Sequence, residues 1–315
     1  MAGDPRKNRK SSSEKPAGAG KASGAPAANP ALVDPLSPER VKSFLLRLGV
    51  PLLVIWFVGG LIASFSVSPI VRGLALGIPA ALTLAAIGLV IWVVRQARKA
   101  QGVAGILSRA TESKDGREAA LAELDAKYKS DDPTAVFARA QLLLQEDPRK
   151  ALAALESINL SKVMGSVADE ARGQRAMIHL MLGEVSPARD LVDGIELSRH
   201  QDARSRAMLA AVVAEAWARS GQAKRAVDTL SVFNPEDPEL AQLKPQIFRA
   251  QAYAFAHTDD MKGAQKALRK LGAQDPRLLG GFVTKKTHPL LQREAKKLLE
   301  QSGLMQRKMQ VQRRM

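Results

Sequence analysis

The sequence predicts an all-α chain: a two-span transmembrane helical hairpin followed by an α-solenoid of helix pairs. Three observations predict it. Aromatic residues make up only 4% of the chain while Ala and Leu abound, which favours helix because strands draw on aromatic and β-branched residues. From Leu48 to Val94, 47 residues carry a single charge, Arg72. Within residues 102–282, one residue pattern returns at a spacing of 38.

The first segment, residues 1–40, is rich in Lys, Ser, Ala, Gly and Pro, with no large apolar side chain before Leu32. Such a composition cannot bury enough surface to offset ordering entropy, so a disordered basic tail is expected. The stretch Gly18–Ser23 faintly resembles a phosphate loop. It lacks the first Gly (Lys15 stands there), and Ala22 replaces the hydroxyl residue such a loop needs for its metal ion.

Residues 41–99 read as the hairpin. Forty-seven helical residues would rise about 70 Å, too long for one crossing of a core about 30 Å thick and suited to two. The turn is marked by Ser64, Ser66, Ser68, Pro69 and Arg72. The spans are expected near Leu48–Phe65 and Gly73–Val94. A barrel would need alternation, which the run Val50–Gly60 lacks. The competing reading is a buried core hairpin of a globular protein. Arg40, Lys42 and Arg47 flank the first span, and Arg95, Arg98 and Lys99 the second. The positive-inside rule then predicts a multi-pass inner-membrane protein with both termini cytoplasmic and with lipid as a partner. Gly73, Gly77, Ala81 and Ala85 form a small-residue stripe for helix packing, either between the spans or in a homo-oligomer. Pro79 inside this stretch is expected to kink the helix. Neither span carries a deep ionisable group, so a transport path has no basis.

In residues 102–282 the registers are explicit. His179, Trp217 and Phe255 are 38 apart, as are Gly183, Gly221 and Asp259. Ala176, Ala214 and Ala252 keep the same step of 38, as do Ala188, Ala226 and Ala264, and Val192, Leu230 and Leu268. A fainter copy sets Ala151 and Leu155 in these roles, and Ala120 and Leu124 before them. Each unit is a helix, a break and a second helix. Such pairs bury their apolar faces only by stacking.

The order Ala214, Trp217, Gly221, Ala226, Leu230, Phe233, Pro238, and its partial echo at Ala252, Phe255, Asp259, Ala264, Leu268, Leu271, Pro276, resembles tetratricopeptide repeats. The family period is about 34 residues, so a period of 38 implies longer helices or loops. The resemblance covers roughly 130–280. It implies a protein-interaction scaffold whose first helices line a concave groove, recruiting protein partners at the cytoplasmic face of the membrane. By repeat register that groove carries Met177, Met181, Glu215, Arg219, Arg249, Tyr253 and His257. Arg249 and Tyr253 are the residue types best suited to grip a peptide. The alternative is a structural or assembly subunit that uses its hairpin for packing.

Residues 283–315 read as a capping helix over 288–301, started by Thr287 and Pro289, with a basic tail behind it.

The net charge is +16, and much of the excess sits in the two tails. No aromatic residue accompanies the tail cations, so nucleic acid is not an expected partner. There is no cysteine, which removes disulfides and thiolate chemistry. The four histidines form no metal-ligand spacing, no nucleophile elbow or dinucleotide motif occurs, and the acids in "SDDP", "EDP" and "PEDPE" read as helix stops and starts. No catalytic residue, metal or cofactor is therefore expected.

Overall fold

A computed structural model describes residues 38–110, 113–284 and 286–305, with side chains from Gly49 onward. The tail expected over 1–40 lies outside these residues except for 38–40, and so does the basic tail after residue 305. Among the described residues all regular structure is helical. The chain divides into two compact units between Ala97 and Arg98.

In the first unit, α1 (Pro38–Phe65) turns at Ser66–Ser68 into α2 (Pro69–Ala110). Among the described residues one helix, α2, is long and apolar enough to cross a membrane; its most apolar window has mean hydropathy 2.4 and is 6% buried. A core helix of a soluble protein would be mostly covered. The expected multi-pass topology with both termini cytoplasmic is corrected by this. The apolar part of α1 is Gly49–Phe65, too short to qualify as a span. Seventeen residues rise only about 25 Å, less than a hydrocarbon core of about 30 Å. The preceding turns cannot extend it, because they carry Glu39, Arg40, Lys42 and Arg47.

The two helices meet through specific residues. Arg72 donates from Nε to the Ala63 carbonyl at 3.2 Å and from Nη2 to the Ser66 carbonyl at 3.1 Å. The one charge of the apolar region thus satisfies carbonyls that the end of α1 leaves open. Pro79 has no N–H, so the Ala75 carbonyl has no intrahelical partner. That carbonyl faces Gly59, where a Cβ would collide with it. Thr83 Oγ1 donates to the Pro79 carbonyl at 2.7 Å and accepts from Trp56 Nε1 at 2.9 Å. The helix contact therefore runs along Ala75, Pro79 and Thr83. Gly73, Gly77, Ala81 and Ala85 are exposed, with open space around Gly73 and Gly77. The hairpin does not use the stripe that the small-residue pattern suggested.

The second unit starts inside α2. Val103, Ile106 and Ala110 are buried with Ala120 and Leu124 of α3 (Lys114–Lys127) and with Ala138 and Leu142 of α4 (Pro133–Leu144). α4 pairs with α5 (Pro148–Glu156), α6 (Gly165–Leu182) with α7 (Val185–Val192), α8 (Ala203–Arg219) with α9 (Ala223–Ser231), and α10 (Lys244–His257) with α11 (Met261–Gln274). This is an array of helix pairs of the solenoid kind.

The repeat registers fall on equivalent places. Ala176, Ala214, Ala252, Ala188, Ala226 and Ala264 are all fully buried, where only a methyl group fits between helices. Gly183, Gly221 and Asp259 have φ of 75°, 90° and 59°, and Asp259 is the single non-glycine residue at positive φ among those described. In each, the next N–H returns to the carbonyl five residues back: Glu184 to His179 at 2.8 Å, Gln222 to Trp217 at 2.8 Å, Asp260 to Phe255 at 2.9 Å. This left-handed termination closes the first helix of each pair and aims the second.

The extra length of the repeat lies in the links between successive pairs, which hold the 3-10 turns Leu197–Arg199 and Pro238–Leu243; a third, Pro276–Phe282, follows the last pair. Asp132, Asp147, Asp237 and Asp275 each precede a Pro and accept from the N–H beyond it, so the Asp-Pro steps are helix starts, as expected. The last helix, α12 (Pro289–Gln301), buries Leu291, Ala295 and Leu299. Its cap is His288, whose Nδ1 accepts from Leu290 N at 3.3 Å, not the expected Thr287. Thr287 is buried and bonds to Thr284 at 2.9 Å instead.

Candidate partner-binding groove

The first helices of three pairs, α6, α8 and α10, carry the residues that the register assigned to a groove. Met177 and Met181 lie one turn apart on α6, Glu215 and Arg219 one turn apart on α8, and Arg249, Tyr253 and His257 along α10. Side chains four residues apart share a helix face.

Four of the seven line one open cleft. Met177, Met181, Glu215 and Arg249, with Pro245 and Leu278, surround a cavity of about 220 Å³. Its walls are largely apolar. Met181 is 48% exposed on the rim, and Leu278 is also exposed. Methionine adapts its shape to irregular apolar partners. Sequence reasoning missed Pro245 and Leu278. Pro245 sits one turn before Arg249 on α10, so helical spacing could have found it. Leu278 comes from a 3-10 turn, and no period of the first helices points to it.

Glu215 organises the polar wall. It is 6% exposed and accepts from Arg249 Nε at 2.9 Å, Arg249 Nη2 at 3.0 Å and Arg219 Nη1 at 2.9 Å. The Glu215 charge holds the Arg249 guanidinium above its ordinary value, against the opposing pull of desolvation. Arg219 also donates to the Leu180 carbonyl at 3.0 Å, and its guanidinium lies 4.9 Å from the centre of the Tyr253 ring. Two guanidiniums thus share one carboxylate.

Of the other three, Arg219 stands behind Glu215, and Tyr253 and His257 do not line the cleft. Tyr253 is 3% exposed because Phe282 stacks on it with ring centres 5.2 Å apart. Burial, then the Glu215 charge, pushes its hydroxyl pKa upward. His257 meets His288 edge-on at 4.9 Å. Burial lowers the His257 pKa, and the charges of His288 and Arg219 add to this. Lys286 reaches the end of α6, donating to the Leu182 carbonyl at 3.4 Å while its stem lies against Gly183. The chain between α11 and α12 therefore covers this end of the groove. Tyr253, expected to grip a partner, is held by the protein's own Phe282, and the open part is the end nearer Met177.

A second buried polar group was not foreseen. Asp169 on α6 is fully buried and accepts from Arg172 at 3.0 Å, Arg199 at 3.2 Å and the Glu196 N–H at 3.4 Å. It ties the 3-10 turn Leu197–Arg199 to α6. His179, in the aromatic register, bonds through Nδ1 to Glu184 Oε2 at 2.8 Å, a contact that lowers the Glu184 pKa.

No family model matches the chain, and no curated protein is found to be similar to it. The likeness to tetratricopeptide repeats therefore rests on the repeat register and the helix pairs alone.

Proposed function

We propose that this protein is a membrane-anchored helical scaffold, with α2 seated in the bilayer and the open end of the groove holding a segment of a partner protein. The observation that supports it best is the cleft beside Met181: apolar, open and rimmed by an exposed methionine, in a chain that also carries a membrane-length helix. Anchoring would raise the local concentration of a recruited partner without any new contact. The chain has no native cysteine, so a single photo-crosslinker can be attached at Met181→Cys in native membranes. A discrete adduct from that position, absent when the probe sits at the exposed Lys262 on α11, is expected. Equal labelling from both positions, or none, counts against the scaffold.

A second reading is favoured by the outward stripe Gly73, Gly77, Ala81 and Ala85. In it the chain is a structural subunit, or a homo-oligomer, packed through that face of α2. Gly77→Cys chains that form disulfide dimers in the membrane, with chains carrying Cys at Leu82 on another exposed face of α2 failing to do so, would support it. Absence of any such dimer would remove its basis.

A further inference from the structure

Resting on the scaffold reading, we infer that the open cleft is selective for an acidic peptide segment: a bulky apolar side chain with an Asp or Glu beside it. The charges at the site are unequal. Arg219 and Arg249 both turn to Glu215, whose side chain is nearly buried, so one positive charge is left over beside an apolar cavity. Desolvated charge is costly unless it is paired. Arg219 spends part of its charge on the Leu180 carbonyl and the Tyr253 face. Arg249 uses Nε and Nη2 on Glu215, and its side chain remains one-third exposed. Its Nη1 is left for a second carboxylate.

The cavity sets the other half of the ligand. At about 220 Å³ it falls below the usual range for small-molecule sites, roughly 300–1,000 Å³, and suits one large side chain of a longer segment. Met177, Met181 and Leu278 supply the apolar wall. Phe282 covers Tyr253, so the segment enters from the Met177 end and does not run the length of the groove.

The test selects random peptides displayed on phage against the full chain in lipid nanodiscs. Arg249→Gln, Arg249→Lys and Met181→Glu variants are run in parallel. The wild-type chain is expected to enrich sequences with Asp or Glu within two residues of Leu, Ile, Phe or Met. Arg249→Gln leaves Glu215 paired with Arg219 and should lose that enrichment by about tenfold, with partial return in Arg249→Lys. Met181→Glu changes an exposed rim residue, so folding is spared, and its carboxylate should supply the missing anion in place of the peptide. Selection of neutral or basic peptides that a Met181 crosslinker displaces would overturn the acidic preference and leave the scaffold standing. Acidic peptides retained equally by Arg249→Gln would overturn it as well. No selected peptide, together with a silent crosslinker at residue 181, would end both.

Discussion

Asp259 does the work that glycine does at Gly183 and Gly221. A side chain in the left-handed region costs an ordinary residue about 1–2 kcal/mol and Asp somewhat less. Replacing Asp259 by Gly is expected to stabilise the second unit by about 0.5 kcal/mol, against the added chain entropy of Gly. Gly221→Ala should do the reverse by about 1 kcal/mol, since nothing crowds its Cβ and only the backbone objects. Thermal midpoints of the two variants, moving in opposite directions, are the check. Glu215 is the residue with most at stake in the groove. Glu215→Ala leaves two guanidiniums facing each other without an anion and is expected to cost about 3 kcal/mol in denaturant unfolding. A loss below about 0.5 kcal/mol, the size of an exposed pair, would mean that the triad is solvated.

At the scale of elements, the repeat was legible because its signals are steric. A buried Ala and a left-handed Gly tolerate few substitutes, so they recur at fixed spacing. The Asp-Pro starts were legible for the same kind of reason. Asp147→Ala should cost about 1 kcal/mol through the lost cap on α5. What escaped the sequence depends on contacts between distant segments. Nothing in the register signals that Phe282 will lie on Tyr253, or that His288 and not Thr287 caps α12. The ion pairs of Glu236 with Lys270 and Lys244 also join separate elements, at 2.8 and 2.9 Å. Those lysines hold the Glu236 carboxyl at about 2 instead of 4.5. A carboxylate lowered on folding stabilises the fold above its ordinary value and loses that share as pH falls toward the folded value. The midpoint gap between the protein and Glu236→Gln should therefore be present at neutral pH and close between about pH 4.5 and pH 2. His257 acts in the same direction at higher pH. Its lowered pKa means that the unfolded chain binds the proton more readily, so stability declines as pH falls below about 6.5.

For the whole molecule, one length argument succeeded and one failed. Forty-seven nearly uncharged residues were enough to predict an apolar helix of membrane-crossing length, which α2 supplies. They were not enough to divide into two spans, because the break at Ser66–Ser68 leaves α1 only the apolar stretch Gly49–Phe65. The seven residues of the register fall on α6, α8 and α10, yet only Met177, Met181, Glu215 and Arg249 line the open cleft. Residue types alone do not reveal which part of a concave face the chain will cover with itself. The most direct measurement is alkaline carbonate extraction of membranes from cells that make the full chain, beside a variant with Leu82 and Leu89 of α2 changed to Arg. The account predicts that the wild-type chain stays with the pelleted membrane and that the variant is released. Release of the wild-type chain into the supernatant would contradict it.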